Sequence, residues 1–182
     1  MIEISYWQMV IAISIIWAIV RGICWAKARH FQIKRELQLL LVYICLVVIV
    51  RFTFCPFGKI DGKIQPLLFH AGKIFPLRVN VKPFVYLFDY PTMKEALLNL
   101  IGNTAMFIPL GIIWPAVFHN LNTHGKVIVA GFGVSLAIEL LQLPFFGRAT
   151  DVDDLILNTL GFIIGYGSYL LVKRFRKGRV IC

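Results

Sequence analysis

Five apolar runs set the pattern of this chain. They cover roughly residues 4–25, 37–54, 96–118, 127–143 and 155–172, and polar or proline-bearing stretches separate them. Each is close to the ~20 residues that an α-helix needs to cross a bilayer core, with the fourth at the short limit. Pro56 follows the second run and Pro144 closes the fourth, as expected where a helix must stop. The spacing predicts an all-α, polytopic membrane protein of about five transmembrane helices. A long connection, residues 55–95, joins the second helix to the third. Residues 1–36 form a first helix and a basic loop, 37–172 the main membrane domain, and 173–182 a basic tail.

Composition agrees. The chain is 59% hydrophobic and 15% charged, whereas a soluble domain carries about 25% charged residues. The net charge of +10 does not imply nucleic acid, because the basic residues flank apolar runs. Membrane lipids, anionic ones above all, are the partner they imply. Arg21, Lys27, Arg29, Lys34 and Arg35 follow the first run, Lys126 lies between the third and fourth, and Lys173, Arg174, Arg176, Lys177 and Arg179 follow the fifth. An odd number of spans gathers all three groups on one side, which the positive-inside rule makes the cytoplasm. The N-terminus is then outside and the C-terminus cytoplasmic. No Lys or Arg precedes the first run, so it reads as a retained helix and not as a cleaved signal.

On this topology the connection 55–95 is extracytoplasmic, although it holds six basic residues against three acidic. Its length weakens the rule there. Phe, Leu and Tyr alternate in it with Lys and Pro. Such a segment either lies in the interface, aromatics among the headgroups, or packs as a lid over the helix ends. The cysteines, Cys24, Cys45, Cys55 and Cys182, form no metal-binding spacing. Only Cys55 reaches the outer face, so no disulfide within the chain is expected.

The acidic residues carry the candidate chemistry. All but Glu36 fall on the outer side, and several sit with amides at the ends of helices. Asn99 and Asn103 are four apart on the third helix, Glu139 and Gln142 three apart on the fourth, and Asp154 and Asn158 four apart on the fifth. Such spacings share a helix face. Three helices each offer two polar groups from the same side, so a polar pocket opening outward is expected. Arg148, Asp151 and Asp153 belong to the same stretch. Asp151 also suits a helix N-cap, and Arg148 or Arg51 suits a counterion to Glu139. Ionisable groups at membrane depth are costly, which makes this cluster the place to look for function. The glycines of Gly161-x-x-x-Gly165 permit close helix approach and read as scaffold.

These residues carry a resemblance. Asn99-Leu-Ile-Gly-Asn103 running on to Pro109-Leu-Gly111, then Glu139-Leu-Leu-Gln142, then Arg148-x-x-Asp151-Val-Asp153-Asp154 running on to Asn158-Thr-Leu-Gly161 resemble the signature of the VanZ-like membrane proteins. Asn80-x-x-Pro83-Phe84 is similar to that family's outer-loop motif. The resemblance spans roughly residues 37–172. It implies a small multi-pass protein of the bacterial cell membrane and, through the family's founding member, resistance to glycopeptide antibiotics, teicoplanin above all. On this reading the protein is a non-enzymatic resistance factor at the outer leaflet. Its pocket would hold a headgroup, sugar or amine of a lipid-anchored glycopeptide or of a lipid-linked cell-wall precursor. A second reading is a divalent-metal-dependent enzyme acting on a lipid or wall precursor, with Glu139, Asp151, Asp153 and Asp154 as hard oxygen ligands. No Ser–His or Cys–His pair accompanies them. A third is a membrane adaptor that binds through the long connection. No cofactor is expected.

Overall fold

In a computed structural model of the chain the described residues are 1–28, 32–55, 59–60, 63–75, 79–83, 92–121, 123–148 and 150–178. Five helices among them are long and apolar enough to cross a membrane. They are α1 (Tyr6–Ala28), α2 (Ile33–Phe54), α3 (Met93–Val117), α4 (His124–Gln142) and α5 (Val152–Gly178). The protein is an all-α polytopic membrane protein. The fifth helix runs beyond the expected boundary and takes in Lys173, Arg174 and Arg176. Cations at a helix C-terminus complement the dipole, so nothing stops the helix where the apolar run ends.

The chain alternates direction. α1, α3 and α5 begin at one end of the bundle, and α2 and α4 finish there. That end carries Asn99, Gln142 and Asp154, and the opposite end carries Lys27, Lys126 and Arg176. We call them the acidic end and the basic end.

Packing centres on α3 and α5, and small residues explain why. A Cβ added at Gly161 would lie 1.9 Å from the carbonyl oxygen of Thr104, and one at Gly165 would lie 2.1 Å from that of Ile108. At Gly111 it would meet the carbonyl oxygen of Phe162, also at 2.1 Å. The two backbones therefore touch. Within a bilayer such close packing, and not the hydrophobic effect, is what holds helices together. Phe107, Leu110, Val117, Val127, Ile49 and Phe162 fill the core around this seam. α1 sits at the margin with no buried residue. It reaches α2 through Ser14 and Tyr43 (2.6 Å), the tilted Trp17–Tyr43 ring pair and the Arg21–Glu36 ion pair.

Short strands close the acidic end. β1 (Ile2–Ile4) pairs antiparallel with β4 (Leu67–Phe69). β2 (Lys59–Ile60) and β3 (Lys63–Ile64) form a small hairpin. β5 (Val79–Asn80) runs parallel to β6 (Thr150–Asp151). The amide of Phe146 donates to the Leu68 carbonyl (2.8 Å) and that of His70 to the Pro144 carbonyl (2.9 Å). The rings of Phe54, Phe69 and Phe145 meet edge to face. Of the two arrangements open for residues 55–95, the described stretches 65–75 and 79–80 thus pack as a lid on the helix ends. Phe84 of the loop motif lies outside the described residues.

Candidate functional site

The turn between α4 and α5 builds one wall of the site. Pro144 follows α4, and Gly147 supplies the positive φ (76°) that reverses the chain, a conformation costly for other residues. The reversal brings Arg148 back against the end of α2. Its guanidinium donates to the Phe54 carbonyl (2.7 Å). That carbonyl is one of those a helix end leaves without an intrahelical partner. Gln142 does the same for Thr53, its Nε2 donating to the Thr53 carbonyl (2.6 Å).

The next residues start α5. The Oδ1 of Asp151 accepts from the amide of Asp153 (2.9 Å), so Asp151 is the N-cap that its position suggests. The same Oδ1 accepts from Asn80 Nδ2 (3.1 Å), which fastens the lid to the helix start. The amide of Asp151 donates to Glu139 Oε2 (3.1 Å), and the Thr150 hydroxyl donates to the Glu139 carbonyl (2.8 Å). Across the bundle, Asn103 Nδ2 donates to Asp154 Oδ1 and to Asn99 Oδ1, joining α3 to α5. Asn158 Nδ2 donates to Ser135 Oγ (3.0 Å), joining α5 to α4.

These contacts enclose a cavity of about 220 Å³. Asn99, Asn103, Glu139, Gln142, Arg148, Asp154 and Asn158 line it, with Phe52, Thr53, Leu98, Gly102 and Gly147. Glu139 and Asn158 are almost fully buried, at 2% and 1% exposure, while Leu98 and Gly147 are exposed. The cavity therefore runs inward from a rim at the acidic end to a polar floor. Burial lowers the pKa of Arg148 from its ordinary value, and the neighbouring Cys55 and Asp154 push it back up. An arginine keeps its proton through such shifts, so the site holds one permanent positive charge.

Seven of the nine residues singled out in the sequence thus share one space. Asp151 and Asp153 do not line it. Asp151 stands behind Glu139 as cap and lid anchor, and Asp153 is buried at 5% exposure on another side of the first turn. Their neighbour Asp154 reaches the cavity because it lies four residues before Asn158 on one helix face. Arg148, considered as a counterion for Glu139, turns its guanidinium to Phe54. Arg51 lies over the Tyr6 ring at 5.8 Å. Among the described residues no group of three or more His, Cys, Asp or Glu is placed to hold a metal ion. Ser135 and Thr53 escaped notice in the sequence. Ser135 stands four residues before Glu139 and was open to the same spacing argument. Thr53 acts through its carbonyl, which no side-chain pattern signals.

A membrane-embedded helical bundle with a polar cavity at one end defines the class of this protein. Comparison with known proteins narrows it. The chain matches the VanZ/LLP1 family over residues 40–173 and belongs to that family. It is 29% identical over 96 residues to Protein VanZ of Enterococcus faecium, a match covering 53% of this chain and 55% of that protein. The chain thus spans about half the length of the curated relative it matches. No solved structure shows significant similarity.

Proposed function

We propose that this protein lowers bacterial susceptibility to glycopeptide antibiotics, teicoplanin above all, by acting at the outer leaflet. In this reading the N-terminus is outside, the C-terminus is cytoplasmic, and the cavity opens outward. Family membership and the likeness to Protein VanZ support the resistance role. The observation that carries the mechanism is the polar cavity, whose rim holds the apolar side chains of Phe52 and Leu98. A lipid-anchored drug, or a lipid-linked wall precursor, would meet the protein at that rim with its chain in the bilayer and its polar part in the cavity.

A buried acyl chain adds ~0.8 kcal/mol of membrane affinity per CH₂. Protection should therefore grow with the chain of the drug. The test compares susceptibility with and without the protein across glycopeptides that differ only in acyl chain. Glu139→Gln and Asp154→Asn keep shape and remove charge, and each should abolish protection while the protein remains in the membrane. Equal protection against a chainless compound, or full protection by both variants, refutes the reading.

A further inference from the structure

The floor of the cavity has acceptors to spare. Three of the four amide side chains that line it donate to protein partners. Asn103 serves Asp154 and Asn99, Gln142 serves the Thr53 carbonyl, and Asn158 serves Ser135. The acceptors are less occupied. Glu139 takes one backbone amide, at Oε2, among the described residues. The Oδ1 of Asn158 is buried with no hydrogen-bond partner, on a side chain 1% exposed. A buried acceptor left unsatisfied is costly, so this floor favours whatever brings donors to it.

Charge points the same way. Two carboxylates, Glu139 and Asp154, and one guanidinium, Arg148, line the space. The lining thus offers two carboxyl groups against one cation. Volume limits the size of what can enter. A cavity of about 220 Å³ matches roughly seven waters at their ~30 Å³ share of the liquid. That suits an aminoethyl headgroup or one amino sugar.

We infer that the cavity binds a protonated primary amine. Its N–H groups donate to Glu139, Asp154 and the free Oδ1 of Asn158. This assignment rests on the cavity being the working site. It names the chemistry the site recognises, whether the amine arrives on a phospholipid headgroup or on a sugar. The apolar rim residues Phe52 and Leu98 leave room for a ligand whose remainder stays in the bilayer.

Purified full-length protein in a neutral detergent provides the test. One arm titrates glucosamine against N-acetylglucosamine. The other titrates lysophosphatidylethanolamine against lysophosphatidylcholine of the same chain, whose trimethylammonium keeps the charge but has no N–H to donate. Binding is read by calorimetry and by the thermal unfolding midpoint. At least one primary amine should bind tenfold or more tightly than its acetylated or trimethylated counterpart. A response to the sugar alone identifies a glycan source, and a response to the lipid alone a headgroup source. Glu139→Gln and Asn158→Leu should each weaken that binding at least tenfold. If either variant fails to fold, the wild-type contrast still decides.

Equal binding within both pairs, or no binding of either amine at millimolar concentration, overturns the inference. So does a midpoint that moves with Mg²⁺ and with neither amine. Amine binding in a protein that gives no drug protection would sink the resistance reading and leave the amine site standing. Protection without amine binding would do the reverse.

Discussion

Replacing Gly161 by alanine tests the seam that shapes the site. The added methyl would stand 1.9 Å from the Thr104 carbonyl oxygen. An ordinary carbon–oxygen contact is ~3.3 Å, so α5 must retreat from α3 by about 1.4 Å or tilt. The obstacle is backbone and cannot rotate away. Forced overpacking of this kind costs ~1–3 kcal/mol, and the close α3–α5 contacts on either side loosen with it. Gly167 is the control, for a Cβ there meets nothing within 4 Å. Alanine is also the better helix former by ~1 kcal/mol, so Gly167→Ala should be neutral or slightly stabilising. The assay is reversible unfolding in mixed micelles titrated with a denaturing detergent, followed by circular dichroism. Gly161→Ala should unfold at clearly lower denaturant than wild type, and Gly167→Ala should not. Because Thr104 adjoins Asn103 and Gly161 lies three residues beyond Asn158, the first variant should also lose ligand affinity. Identical unfolding curves for the two variants would refute the backbone-contact account.

Asp151→Ala removes both the cap to Asp153 and the lid bond to Asn80; by the same unfolding assay it should cost ~0.5–2 kcal/mol, whereas Asp151→Asn should lose less because asparagine also caps. Cys55 is 1% exposed, and burial raises its thiol pKa against the opposing pull of Arg51 and Arg148. Less thiolate and less access should make its alkylation by a polar maleimide slow near neutral pH and fast after denaturation, and rapid labelling of the folded protein would contradict the packed lid. With the other cysteines replaced, Cys182 should resist an impermeant thiol reagent in intact cells and react in inverted vesicles; the opposite result reverses the topology and turns the cavity toward the cytoplasm.

The five spans were legible in the sequence because a bilayer imposes a length and a polarity that a linear pattern can meet. The three polar pairs were legible for a related reason. Residues 99 and 103, 139 and 142, and 154 and 158 share faces through helical periodicity alone, whatever the helices touch. The sequence also exposed the glycine spacing on α5, but not that Thr104 and Ile108 are the backbone it meets. Only the tertiary structure separated Asp154, which enters the cavity, from Asp151 and Asp153, which do not. Consecutive residues in a first helical turn point in different directions, and the neighbours decide which direction is a cavity. It also decided that Arg148 and Gln142 satisfy the carbonyls at the end of α2, and that Asn80 ties the lid to Asp151 across 71 positions. Those bonds join segments far apart in the chain. Periodicity is local and says which residues share a face, while the partner of a face is set by how the helices pack and how the chain returns between them.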